Sequence, residues 1–77
     1  MNDAMTHKTR LGNRLKVARA ELGISQEELA RAVGVTRQTI SSIETATYTP
    51  SALLAFRLAE YLKENVDELF YLEAEGV

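Results

Sequence analysis

The chain contains no cysteine, no tryptophan, one histidine and one proline in 77 residues. Without cysteine there is no disulfide framework, no thiolate zinc site and no iron–sulfur cluster. The single His7 cannot build a multi-histidine metal centre, so no metal and no cofactor are expected. No apolar run approaches the ~20 residues that cross a bilayer, and no basic amphipathic helix suits a membrane surface. The first seven residues, Met1 to His7, lack the charged-then-apolar order of a signal peptide. These absences predict a cytoplasmic protein without a membrane role. A chain this short buries only about 60% of its unfolded surface. One small domain is expected, with no large substrate cavity and no small-molecule ligand.

The net charge of −2 conceals two unlike halves. Residues 1–49 hold Lys8, Arg10, Arg14, Lys16, Arg19, Arg31 and Arg37 against Asp3, Glu21, Glu27, Glu28 and Glu44. Residues 50–77 hold only Arg57 and Lys63 against Glu60, Glu64, Asp67, Glu68, Glu73 and Glu75. A polyanionic partner responds to the local field, so the basic half is the side to consider for nucleic acid. Ordinary solvated surfaces explain the split equally well.

Helical spacing recurs along the chain. Leu11, Leu15, Ala18 and Leu22 fall on one helical face, and Gly23 follows as a stop. Ser25 with Glu28 forms a capping box ahead of Leu29, Ala30 and Val33. Gly34 closes that second helix, and Thr36 caps a third that buries Ile40 and Ile43. Thr45 to Pro50 reads as a loop. Ser51 caps a fourth helix carrying Leu54, Leu58, Tyr61 and Leu62, and Asn65 caps a short fifth with Val66, Leu69 and Phe70. Tyr71 to Val77 either frays or extends it. No strand is evident. The expected class is all-α, a compact five-helix bundle over residues 10–72, with flexible tails at 1–9 and 73–77. Each helix is too short to be stable alone, so packing must hold them.

Residues 25–44 carry the functional signal. Two short helices joined by a Gly-containing turn, with small Ala30 at their crossing, have the sequence form of a helix-turn-helix. The outward side of the third helix bears Arg37, Gln38, Thr39, Ser41 and Ser42, with no acidic residue before Glu44. Solvated helices usually carry Glu and Lys there, because Ser and Thr are poorer helix formers. Arg bonds guanine in bidentate fashion, Gln bonds adenine, and the Thr methyl meets the thymine methyl. By composition alone, an unremarkable polar face remains as good a reading.

The ordered set Arg19, Leu22-Gly23, Ser25 to Ala30, Gly34-Val35, Gln38 to Ser41, Ile43-Glu44, Tyr48, Pro50-Ser51, Leu58-Ala59 and Asp67 to Phe70 is more specific. Over roughly residues 11–70 it resembles the Cro/phage-repressor (XRE-type) helix-turn-helix family, with its lambda-repressor-like fold. The resemblance implies a sequence-specific regulator of transcription, most simply a repressor, binding palindromic double-stranded DNA as a homodimer. It implies that Arg37, Gln38, Ser42 and, second, Thr39 read bases. Gln26, Thr36 and Ser41 would contact phosphate. Arg19 and Glu44 would form a structural ion pair, with Arg19 also near the DNA backbone. Lys8, Arg10 and Arg14 would approach phosphates from the N-terminal side.

Two departures stand out. Where the family commonly has a basic residue, Gly and another basic residue, this chain has Thr45, Ala46 and Thr47, whose hydroxyls are left as phosphate contacts. Where it often has Gly at the end of the fourth helix, this chain has Lys63. The apolar excess near the C-terminus nominates Tyr61, Val66, Phe70 and Tyr71 as a dimer interface. That excess also supports an alternative, a protein-interaction module such as an antitoxin with secondary DNA binding. An enzyme is not expected. The serines lack a nearby base, and Glu27-Glu28 serve the helix cap.

Overall fold

The computed structural model describes residues 9–74. The order is β1 (Thr9–Asn13), α1 (Leu15–Glu21), α2 (Gln26–Val33), α3 (Arg37–Glu44), α4 (Ala52–Leu62), α5 (Val66–Leu69) and β2 (Phe70–Ala74). Five helices form as expected, but the chain is not strictly all-α. β1 and β2 pair antiparallel, with Leu11 opposite Leu72 and Gly12 opposite Tyr71.

The strands escape a sequence reading for a physical reason. Each is five residues long, too short for alternation to separate it from helix. Their partners lie at opposite ends of the chain. Leu11 therefore belongs to β1 and not to the face of α1, and Phe70 opens β2 instead of ending α5. Thr9, Glu73 and Ala74, assigned to the tails from sequence, lie in the paired strands. The remaining tail positions, 1–8 and 75–77, fall outside the described residues. Gly12 is required by close approach, because a Cβ there would collide with the Tyr71 ring.

The caps follow local chemistry. The hydroxyls of Ser25, Thr36 and Ser51 accept from the backbone N–H groups of Glu28, Thr39 and Leu54. Asn65 takes the cap position of α5 without accepting such a bond, and its Nδ2 donates to Glu68 instead. Gly34 ends α2 at φ 80°, the left-handed conformation that turns the chain toward α3. The core then joins Leu15 and Ala18 of α1 with Leu29, Ala30 and Val33 of α2. Ile40 and Ile43 of α3, Leu54, Leu58, Ala59 and Leu62 of α4, Leu69 and Phe70 complete it. Leu22, expected on the buried face of α1, is half exposed at the helix end.

One polar contact sets the angle of α3. The Arg19 Nε donates to Glu44 Oε2 at 2.8 Å, and its Nη2 lies 3.4 Å from Oε1. The same guanidinium donates to the Ile24 carbonyl at 2.9 Å. The side chains are only 15% and 5% exposed, so the pair is largely withdrawn from water. Gln26 Nε2 adds a donor to Glu44 Oε1 at 3.0 Å. The carboxylate thus joins α1, α2 and α3.

Two tests follow from these contacts. Arg19→Ala leaves Glu44 desolvated without its cation, and should cost about 2–4 kcal/mol in urea unfolding. The Arg19→Ala/Glu44→Ala double variant should lose less than the sum of the single losses. Lys63 ends α4 at φ 59°, a conformation that strains L side chains. Lys63→Gly should raise stability by about 0.5–1 kcal/mol, read as a melting point several degrees higher.

Candidate nucleic-acid interface

The N-terminal ends of α2 and α3 carry the candidate site. Thr36 extends the backbone before α3, and its Oγ1 accepts from Thr39 N at 3.2 Å. The same oxygen lies 3.1 Å from Thr39 Oγ1. Buried Ile40 and Ile43 fix the inward side of α3, and this leaves Arg37 and Gln38 exposed. Thr39, Ser41 and Ser42 are half-buried on its flanks. The expected base-reading residues thus divide into two that project and two, Thr39 and Ser42, that sit closer to the body.

Gln26 has a double role. Its Nε2 holds Glu44, while its Oε1 accepts from Arg37 Nη1 at 3.4 Å. The start of α2 and the start of α3 are therefore connected through one amide. A helix N-terminus also presents free N–H donors and a favourable dipole to an anion.

The other expected phosphate contacts are differently engaged. Thr45 Oγ1 donates toward the Ser41 and Ser42 carbonyls, at 3.1 and 3.3 Å. Thr47 Oγ1 reaches the Ser42 carbonyl at 3.1 Å and lies 3.1 Å from Thr45 Oγ1. Each hydroxyl has one proton, and here both serve the C-terminal end of α3. Ala46 between them adopts φ 62°. That is the left-handed conformation glycine adopts most readily, held here by alanine.

The N-terminal cations are internally paired. The Arg10 guanidinium meets Glu73 at 2.6 Å across the sheet. Arg14 binds Glu64 through Nη1 and Glu21 through Nη2. The hydrogen bond that Arg14 donates to Glu64, then the charge of Glu64, raises the Arg14 pKa above its ordinary value. Arg19 is committed to Glu44 and Ile24. Lys8 lies outside the described residues. Among the expected contacts, Arg37 is the cation that sits on α3 itself.

Sequence reading missed Asn13. Its Nδ2 donates to the Ile43 carbonyl at 2.9 Å, and its Oδ1 accepts from Leu15 N at 3.0 Å. It links the sheet, α1 and the end of α3. The available signal was a cap-type residue just before the Leu15 run. Among the described residues, no cluster of His, Asp or Glu could hold a metal, and no helix is long and apolar enough to cross a membrane.

Comparisons with known proteins agree with this geometry. A helix-turn-helix family model matches residues 15–69. An uncharacterized HTH-type transcriptional regulator of Methanothermobacter thermautotrophicus is 51% identical over 59 residues, covering 75% of this chain and 86% of that protein. The uncharacterized HTH-type transcriptional regulator YgzD of Bacillus subtilis is 44% identical over 64 residues, covering 83% and 97%. A putative DNA-binding protein from Bacteroides fragilis superimposes with a TM-score of 0.73 at 30% identity, over 79% of this chain and 98% of that one. The restriction-modification controller protein C.AhdI from Aeromonas hydrophila gives 0.65 at 30% identity, over 69% and 77%. Family model, relatives and fold agree, and the chain belongs to the Cro/C1-type helix-turn-helix family of DNA-binding transcriptional regulators.

Proposed function

We propose that the chain recognises a specific two-fold symmetric site in double-stranded DNA as a homodimer in the cytoplasm, and represses transcription by occupying it. The observation that carries this reading is the exposed start of α3, where Arg37 and Gln38 project from a helix clamped by Arg19, Glu44 and Gln26. A reader of base edges must be held at a fixed angle to the groove, and the clamp provides that. Arg37 and Gln38 read bases in the major groove, with Thr39 and Ser42 in supporting contact. Thr36 and Ser41, with the N–H groups at the helix starts and the second Nε2 hydrogen of Gln26, bond phosphates. Arg14, Arg19, Thr45 and Thr47 act mainly by holding these elements, because their donors serve internal partners.

The dimer surface needs revision from the sequence reading. Phe70 is 7% exposed and belongs to the core. Tyr61 and Tyr71 remain at the surface, and Val66 is half-buried against the core. On α4, Leu53 and Phe56 are 62% and 60% exposed, beside a shallow cavity lined by Ala59 and Val66. Apolar side chains three apart on one helix make a stripe that a second copy can cover. We place the dimer contact there, with Tyr61 at its margin. In this arrangement two copies of α3 would meet successive major grooves about 34 Å apart.

Selection of bound duplexes from a randomised library tests the reading. A palindromic consensus is expected. Gln38→Ala should flatten preference at its base pair by about 1–3 kcal/mol while the melting temperature holds. Because few cations are free at the site, log Kd against log salt should have a shallow slope, about 2–4 for the dimer. An unenriched library with folded protein would overturn DNA reading in favour of the partner-binding alternative.

A further inference from the structure

The flank of α4 that packs beside α2 opens a cleft that base reading does not use. It encloses about 710 Å³ between the last turn of α2 and the second half of α4. Arg31, Arg57 and Lys63 line it with Tyr61, and Glu60 is the carboxylate in its wall. The cleft beside Ala59 and Val66, assigned above to the dimer contact, lies on the other flank of α4.

The cations of this cleft lack internal partners. Residues 50–77 contain two basic groups, Arg57 and Lys63, against six acidic ones, and both basic groups lie here. Among the described residues neither forms an ion pair or a side-chain hydrogen bond, although Glu60 stands three positions from each. Arg31 has only an exposed 3.4 Å contact with Glu27, which water weakens. Arg10, Arg14 and Arg19, in contrast, are each matched to a carboxylate. Lys63 moreover holds its place at φ 59°, where glycine is less strained. A strained backbone thus sets a cation on the rim of the cleft.

The backbone narrows the choice of occupant. The N–H groups of Gly34 and Val35 both bond to the Ala30 carbonyl. This leaves the carbonyls of Arg31, Ala32 and Val33 without a backbone partner at the end of α2. A DNA phosphate brings acceptors alone, so those carbonyls and Glu60 oppose it. An extended peptide with acidic side chains brings carboxylates for the cations and N–H donors for the carbonyls. Tyr61, 41% exposed, offers an aromatic face to an apolar side chain.

We propose that this cleft docks an extended acidic segment of a partner protein, with carboxylates on both sides of an apolar residue. Arg57 and Lys63 receive carboxylates along α4, and Arg31 receives one at the end of α2. Glu60 keeps the position between them free of negative charge, and the apolar residue rests on Tyr61. The proposal does not depend on DNA binding. Arg57 and Lys63 lie on α4, whereas the candidate nucleic-acid interface lies at the starts of α2 and α3. Arg31 also borders a smaller cleft with Thr36 and Arg37, so the docked segment lies next to the start of α3.

Fluorescence anisotropy of the full chain with a short labelled peptide, Asp and Glu flanking a Leu-Phe pair, tests this. A control peptide carries Asn and Gln in place of the acids and should bind at least about tenfold more weakly. Arg57→Gln and Lys63→Gly should each weaken binding of the acidic peptide about 2–5-fold, and the double variant about tenfold. Lys63→Gly is the informative change, because it should raise the melting temperature while it lowers peptide affinity. Loss through poor folding would lower both. Backbone amide shifts in NMR titration should concentrate at residues 31–34 and 57–63. Duplex DNA affinity of both variants should stay within about twofold. The proposal is overturned if the acidic peptide does not bind, if the control binds equally well, or if the double variant binds the acidic peptide as the unaltered chain does. A matching loss of DNA affinity in both variants would assign the cations to the DNA backbone and overturn it as well. Absence of DNA binding by the unaltered chain would overturn the DNA reading alone, since the peptide titration contains no DNA.

Discussion

The nearly buried Glu44 carboxylate is the contact on which the rest depends. It accepts from Arg19 of α1 and Gln26 of α2 while it stands at the end of α3. Its value lies less in net stability, since desolvation offsets much of the attraction, than in direction. Apolar packing through Ile40 and Ile43 fixes which side of α3 faces inward, but packed helices tolerate crossing angles that scatter by ±15–20°. A charged network with fixed donor geometry narrows that range. The proposed base reading needs this, because misplacement by about 1 Å loses a bidentate contact.

The electrostatics are economical in an unusual direction. Net charge is −2, and Arg10, Arg14 and Arg19 are each matched to a carboxylate within the protein. Long-range attraction to DNA is therefore modest, and in the proposed reading discrimination falls to short-range contacts of Arg37, Gln38 and the helix starts. The hydroxyl pair Thr45 and Thr47 fits this pattern. They satisfy the last carbonyls of α3, a task elsewhere left to solvent or cations. Backbone strain is accepted at two turns, where Ala46 and Lys63 take positive φ without being glycine.

The two-stranded sheet changes what the domain offers to partners. Asn13 joins it to the end of α3, so the ribbon and that helix are mechanically connected. In a helical bundle the backbone groups left to share are confined to helix ends. An edge strand carries them along its length, and it adds a directional surface to the apolar stripe on α4.

Sequence alone determined the elements whose causes are local. The Ser25, Thr36 and Ser51 caps, the left-handed Gly34 and the spacing of Leu29, Val33, Ile40 and Ile43 all rest on residues within one or two turns of each other. The family resemblance extended this to the Arg19–Glu44 pair, which the structure forms. What was hidden depends on partners far apart in the chain. β1 and β2 exist because residues 9–13 meet residues 70–74, and neither segment signals a strand by itself. The same distance effect placed Phe70 in the core, gave Arg14 to Glu64 and drew Asn13 to Ile43. Propensity and capping are properties of a few consecutive residues. Ion-pair choice, strand pairing and final exposure are decided only when the closed fold brings distant groups within reach.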